Sequence, residues 1–494
     1  MTSGVDFAAG TTGASGVIIV VAAAGLLFNA VLASAQDFAS AATAARAEDG
    51  SYIGWREHLV DDQALSGVEL RGADGLEIAD LDADGYLDIV SVHESDDQYD
   101  GVAEGHIRIA FGSADPDVWQ LVTLADGAEA GAAEDVAIGD VNGDGLLDVI
   151  AACELSHLIY FQNPGREIRN GGAWQRLIPS VTQDRGSFIR VFLADLNGDG
   201  RLEVTTANKG AQDPTRARQE PKEISFFEIV GEPLDDGAWR EHVLTRVPWP
   251  INAQPVDLDG DGDLDIVAGS VAERRMMWFE NDSREDAFAF TEHPIEIVPA
   301  DAPIDGLAVH GFNMDYVDLN RDGRLDIVTL DTPPLIGTRL IWLEQPARSD
   351  LPWAWRLIAD YSPDSVVGIR VADIDDDGDP DVMTGGYSGV GVGTASRSSD
   401  VPTPAAALGR LAWFENEGNA ERWREHSFSR RQRGMFDKFI ALDMDHDGDV
   451  DFAGTRGNSG RYDGVFWLEQ VRSASPRRAF EPARASESPE VPMP

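Results

Sequence analysis

The sequence predicts an all-β fold, a seven-bladed β-propeller of four-stranded antiparallel blades, and three observations carry that prediction. A nine-residue pattern, D-x-[DN]-x-D-G-x-x-[DE], begins at Asp80, Asp140, Asp195, Asp257, Asp318, Asp373 and Asp443, at intervals of 55 to 70 residues. Each copy lies between two short apolar runs, such as Val136-Ala137-Ile138 ahead of the second and Leu264-Asp265-Ile266-Val267 closing the fourth. An aromatic run with a polar end recurs once per interval. Units of this size cannot bury an apolar face alone, so they stack into one continuous core.

The runs on either side of each loop read as paired strands A and B, because they are short, β-branched and bounded by an Asp/Gly turn. Strand C is the aromatic run: Tyr160-Phe161-Gln162-Asn163, Trp278-Phe279-Glu280-Asn281, Trp342-Leu343-Glu344-Gln345, Trp413-Phe414-Glu415-Asn416 and Trp467-Leu468-Glu469-Gln470. Weaker forms are Phe226-Phe227-Glu228 and Ala110-Phe111-Gly112. Strand D is Trp-Arg-Glu-His, starting at Trp55, Trp239 and Trp423, with looser copies at Trp119, Trp174, Phe290 and Trp355. Four strands per interval make a propeller blade. A D-type strand at Trp55 precedes every loop and a C-type strand at Trp467 follows the last one. The strands therefore balance only if the N-terminal strand completes the last blade, which leaves no open sheet edge. The propeller spans residues 49–471. Residues 36–48, rich in Ala and Ser, read as a linker. Residues 472–494, without apolar periodicity, read as a disordered tail.

Composition bounds the partners. The chain has 39 Lys+Arg against 87 Asp+Glu, a net charge of −48, and only three lysines, Lys209, Lys222 and Lys438. Such a field repels nucleic acid and anionic membrane surfaces. The single cysteine, Cys153, excludes an internal disulfide and reads as a small buried hydrophobe. Residues 17–33 are apolar except for Asn29, and Ala33-Ser34-Ala35 resembles a small-residue cleavage site, although Asp6 stands where a basic segment is usual. Residues 1–35 are thus expected to be a signal peptide or a retained membrane anchor. Either places the propeller outside the cytoplasm (periplasmic, extracellular or on the cell surface), with membrane contact only through this segment.

The loops have the chemistry of a hard-cation site. Calcium takes six to eight oxygens from a sharply turning loop. Positions 1, 3, 5 and 9 offer side-chain oxygens, position 7 a backbone carbonyl, and position 6 is glycine in every copy. The expected ligands are Asp80, Asp82, Asp84, Tyr86 and Asp88 in the first loop, and Asp140, Asn142, Asp144, Leu146 and Asp148 in the second. The third offers Asp195, Asn197, Asp199, Arg201 and Glu203, and the fourth Asp257, Asp259, Asp261, Asp263 and Asp265. Asp318, Asn320, Asp322, Arg324 and Asp326 follow, then Asp373, Asp375, Asp377, Asp379 and Asp381, and finally Asp443, Asp445, Asp447, Asp449 and Asp451. About seven structural Ca²⁺ ions are expected, with both oxygens of position 9 as ligands. The alternative is a set of Asp-Gly hairpin turns that hold no metal.

These repeats resemble the FG-GAP/VCBS family, the repeat of integrin α-subunit propellers and of many exported bacterial proteins. The resemblance covers about residues 49–471 and implies calcium between the first two strands of each blade. The Phe-Gly half of the family pattern survives only at Phe111-Gly112, and its Gly-Ala-Pro half is absent. The family contains adhesion propellers, glycan-binding proteins, polysaccharide lyases and sugar dehydratases, so the resemblance leaves function open.

In an up-and-down blade the B–C and D–A connections lie opposite the A–B loops. The long B–C connections, residues 93–105, 208–223, 331–339 and 386–410, all fall there, and the last, rich in Gly, Ser and Pro, reads as a mobile cover. Counting back from each first Asp puts Arg190, Asn313, Arg370 and Lys438 at the starts of channel-lining strands, beside Glu77, Asp135 and Asp315. These four could hold an acidic sugar or a peptide terminus, or the channel could be lined by mutually satisfied polar groups. His58, His242, His293 and His426 belong to the repeated D strand, and His446 sits at a non-ligand loop position. That leaves His93 and His310 as candidate general bases. The favoured reading is a non-catalytic binding or adhesion module for a glycan or protein. The alternative is a lyase or dehydratase with His93 or His310 as base and Arg190 or Arg370 holding a carboxylate.

Overall fold

The structure, a computed structural model, describes residues 41–95, 102–284, 287–300, 307–331, 339–387, 408–431, 435–457, 462–484 and 490–491. The N-terminal apolar segment lies outside these residues, as do most of the 386–410 connection and the middles of the 93–105 and 331–339 connections. No described helix is long and apolar enough to cross a membrane.

The described strands form seven sheets, each with an antiparallel A-B-C-D order. The inner pair has the same register in every blade. The residue before the loop faces the ninth loop residue at Ala79↔Asp88, Gly139↔Asp148, Ala194↔Glu203, Val256↔Asp265, Val317↔Asp326, Ala372↔Asp381 and Leu442↔Asp451. A one-residue slip would turn every side chain to the opposite face, so the loop pattern and the alternation fix register together. The core lies between adjacent blades: Val90 and Ile109 of the first pack with Val149, Ile159 and Phe161 of the second.

The closure expected from the strand count is present. Tyr52–Asp62 pairs antiparallel with Gly464–Ser473, placing Trp55 opposite Gln470 and Leu59 opposite Phe466. The recurring C and D motifs are explained by one contact. Each D-strand histidine stacks on the C-strand aromatic and bonds the C-strand glutamate: His58 on Trp467 and Glu469, His242 on Phe226 and Glu228, His293 on Trp278 and Glu280, His426 on Trp413 and Glu415. Cys153 is buried, as expected.

Both flanking segments need correction. The expected linker packs on the ring from residue 41: Ala45 and Ala47 are buried, and the Ala45 carbonyl accepts from the Ile53 N–H. The expected tail is ordered over its described part. Phe480–Glu481 pairs in parallel with Trp55 and Arg56, Phe480 is buried near Phe428, Arg484 pairs with Asp62, and Glu490 pairs with Arg431. Phe480, Val491 and a few ion pairs hold this segment, and they leave no periodicity to read. The added strand also covers the outer edge of the last blade, as Ile297–Pro299 covers that of the fifth.

Removing residues 1–62 should uncover the Gly464–Ser473 edge and yield aggregates. Light scattering that instead found a monomer with an unchanged melting temperature would refute the closure.

Candidate functional site

Each loop is built by backbone geometry first. Glycine at position 6 has φ between +84° and +98° in all seven copies. Position 4, which the sequence reading passes over, is also left-handed throughout: Ala83, Gly143, Gly198, Gly260, Arg321, Asp376 and His446 have φ from +57° to +79°. Glycine fills three of these and polar or small residues tolerate the rest. The first carboxylate laces the turn: Asp80 accepts from the Asp84 and Gly85 N–H groups, Asp140 from Asp144 and Gly145, and Asp318 from Asp322 and Gly323.

The ninth residue does more than expected. Asp88 accepts from the Leu81 N–H with one oxygen and from the Gly112 N–H, at the end of strand C, with the other. Asp265, Asp326, Asp381 and Asp451 repeat this with Leu258 and Asn281, Leu319 and Gln345, Ile374 and Asn416, and Met444 and Gln470. Asp148 takes the Asn163 N–H and the Tyr160 hydroxyl, and Glu203 reaches the Leu196 N–H. Position 9 is therefore a latch within the blade as well as an oxygen donor. Burial, reinforced by the other loop carboxylates, raises these acids to about 7 at Asp88, Glu203, Asp265 and Asp326, about 6 at Asp148 and about 8 at Asp451.

The residues fit a cation. Three carboxylates converge within 4.8 Å in the Asp80-Asp82-Asp88, Asp257-Asp259-Asp261, Asp373-Asp375-Asp381 and Asp443-Asp445-Asp451 sets. The three remaining loops are those with Asn142, Asn197 or Asn320 at position 3, where an amide oxygen replaces a carboxylate. Buried oxygens of Asp82 and Asp373 have no hydrogen-bond partner, and the donor set is all oxygen, which suits a hard cation. Arginines from a neighbouring blade brace some loops. Arg169 reaches Asp82 and Asp84, and Arg321 reaches Asp379.

At the opposite end the structure engages three of the four expected ligand residues in bonds within the ring. Arg190 bonds Asp437 at 3.0 Å and lies 3.5 Å from the Asn313 side-chain oxygen, while Asn313 donates to the Val367 carbonyl. Lys438 bonds Glu77 and Asp135, each at 3.0 Å. Arg370 stands apart, 3.7 Å from Asp315, with its side chain 42% exposed. The channel mouth thus carries ion pairs that cross the ring, while buried nitrogens of Arg190 and Arg370 have no hydrogen-bond partner. His93 and His310 are fully buried, and burial holds the His93 pKa well below its ordinary value.

Two features at this end escaped the sequence reading. One is a cavity of about 540 Å³ under the 208–223 connection, lined by Glu154, Arg185, Lys209, Gln212, Arg216 and Lys222 among others. Two of the chain's three lysines line it. The other is a buried group, Asp74, Glu94 and Glu134, whose carboxyls are pushed well above the usual range by burial and then by one another and neighbouring acids. Asp74 and Glu134 lie one residue before the positions counted back from the loops, on the bulges that open strand A.

Residues 80–151 and 257–329 match the profile of the FG-GAP-like repeat. No curated protein matches the chain. Solved structures similar to it include the V. cholerae biofilm matrix protein Bap1, at 12% identity over 85% of this chain and 92% of that one, with a TM-score of 0.39. YCF48 from Cyanidioschyzon merolae is 9% identical over 84% of this chain and 98% of that one, with a TM-score of 0.45.

A pH dependence follows from the latches. Their pKa values in the folded state exceed the unfolded carboxylate value, so the fold holds protons that the unfolded chain has released, and stability is lost as pH rises toward the folded value. In chelator the melting temperature should fall between about pH 5 and about pH 8. A rise across that window in circular-dichroism melts would show that the ninth carboxylates are ionised in the metal-free fold.

Proposed function

From the premise that the chain is an FG-GAP-repeat β-propeller, we propose that it is an exported, calcium-stabilised binding module whose ligand site is the cavity under residues 208–223. The single observation that carries this reading is the cavity itself: a walled, polar space at the end of the ring opposite the Asp-rich loops. Its basic residues stand out in a chain of net charge −48. Arg216 is exposed at its rim, and Lys222 sits 4.0 Å from Glu220 with 29% of its side chain exposed. Arg185, bonded to Glu241, adds a third positive group.

An acidic glycan or the carboxylate end of a peptide suits these groups, because guanidinium and ammonium donors bond carboxylates strongly when charge-assisted. The wall also carries Glu154, Asp184, Asp213 and Glu220, so its four cations act as individual donors rather than as a net positive field. The 208–223 connection gives the site its shape, as loops on rigid scaffolds usually do. Calcium in the seven loops has a separate task. Its side-chain donors would be positions 1, 3, 5 and 9 of each loop, and its charge would offset the mutual repulsion of those carboxylates. Ring stability would then depend on the ion by mass action. Export rests on residues 1–35 and is consistent with a calcium requirement outside the cytoplasm.

Protein purified with calcium should hold about seven loop ions per chain, and chelator should lower its melting temperature by many degrees. Fewer than three ions by elemental analysis would remove calcium from this account. The Arg216→Ala/Lys222→Ala variant should lose binding on an array of acidic glycans, at least tenfold, with an unchanged melting temperature. Binding at the wild-type level would reject the cavity, and unsaturated uronate products in the same samples would establish a lyase instead.

A further inference from the structure

The fold repeats its blades closely, so positions where the repeat changes chemistry stand out. One such position is the bulge residue that opens strand A, six residues before each loop. In the third to sixth blades it is Ile189, Ile251, Phe312 and Val367, and in the seventh, first and second it is Asp437, Asp74 and Glu134. The sheet pairings place Asp74, Glu134, Ile189, Ile251 and Val367 at the same register irregularity. Bulges re-aim side chains, and the third, fourth and sixth blades use this one to bury an apolar group, while Phe312 of the fifth is partly buried. The fold itself therefore does not require a carboxylate there.

A second position is the residue just after strand B. Glu94, Glu154, Lys209 and Val271 occupy it in the first four blades, each donating its N–H to an equivalent carbonyl, those of Gly72, Ala132, Ser187 and Trp249. Here too an apolar residue serves in one blade and acids in others. Asp437 is matched by Arg190, and Glu154 by Lys209. Asp74, Glu94 and Glu134 remain as a group, with oxygens within 4.8 Å of one another. Glu94 accepts from the Gln212 amide at 3.0 Å, and Glu134 has Arg190 only at 3.9 Å. Asp74 is 2% exposed, and neither of its carboxylate oxygens has a hydrogen-bond partner.

Leaving both oxygens of a buried carboxylate unbonded is strongly unfavourable, and two more carboxylates beside it add repulsion. We propose that Asp74, Glu94 and Glu134 bind a hard divalent cation at the mouth of the ring, a site distinct in place and construction from the seven loops. The donors are carboxylates from three strand ends in two blades, with no imidazole or thiolate among them, which favours Ca²⁺, Mg²⁺ or Mn²⁺ over softer metals. The ion would cross-link the first two blades at the mouth. Through Gln212 it would also brace the 208–223 connection.

Counting ions per chain tests this without any organic ligand. Wild-type protein and a Glu94→Gln/Glu134→Gln variant are dialysed against Ca²⁺ in one arm and Mn²⁺ in another. The variant should retain one ion fewer in at least one arm. Equal counts in both arms would overturn the site and show that these acids are neutralised by protons. If the variant does not fold, wild-type crystals soaked in Mn²⁺ decide the matter. An anomalous peak beside the Asp74 carboxylate supports the site, and peaks at the loops without one there reject it. The outcome is independent of whether the neighbouring cavity binds a glycan.

Discussion

The ring depends on the ninth carboxylate of each loop. In five blades its two oxygens tie the start of the A–B loop to the end of strand C, so three of a blade's four strands meet at one buried side chain. The second loop residue, whose N–H is held by this latch in six copies, is apolar and buried in all seven: Leu81, Val141, Leu196, Leu258, Leu319, Ile374 and Met444 fill the gap between blades. Its carbonyl is then taken by the next blade. Asn163 donates to the Leu81 carbonyl, Asn281 to Leu196, Gln345 to Leu258 and Gln470 to Ile374. The polar residue that ends strand C is thus an inter-blade staple. Latch, apolar plug and staple form one chain of bonds from blade to blade, and a carboxylate is the only side chain short enough and doubly accepting enough to begin it.

That arrangement explains why a cation at the loops would matter to the whole ring. The latch acids are buried without a cationic partner of their own, so the metal-free fold favours their protonated form. A divalent ion beside them would hold them ionised while leaving their backbone bonds in place, because each carboxylate oxygen has a second lone pair. Binding energy delivered at an exposed loop would then reach the blade interface through the latch and the staple. The arginines that touch the loops, Arg169 above all, supply part of the same counter-charge from a neighbouring blade.

Blade number, strand order and ring closure were legible because each rests on a periodic signal: the Asp-rich loop, the aromatic C strand and the Trp-Arg-Glu-His D strand. The loops' capacity for a cation was legible for the same reason. What escaped was aperiodic or doubly used. Position 9 read as a ligand because its composition says carboxylate, and composition does not say which N–H groups lie beyond it. The tail read as disordered because two separated apolar residues, Phe480 and Val491, and a handful of ion pairs anchor it. Arg190 and Lys438 read as a ligand site because the strand count places them at the mouth. The count cannot show that Asp437 lies across the channel to take the first, or that Glu77 and Asp135 take the second.

The repeat itself indicates where a particular function can reside. Residues that recur in all blades are accounted for by closing the ring, and they carry no information about a ligand. The departures concentrate where the first three blades meet at the mouth. There the bulge turns acidic in the first two blades, the post-strand position is charged in all three (Glu94, Glu154 and Lys209), and the third blade carries the 208–223 insertion over a cavity. Buried charges of this kind are not a route to greater stability, since well-packed apolar residues serve as well or better, and Ile251 with Val271 in the fourth blade shows that this fold accepts them. The first three blades therefore retain their charged residues for a reason other than folding. A cation and a polar ligand at that junction are the occupants whose chemistry those residues match.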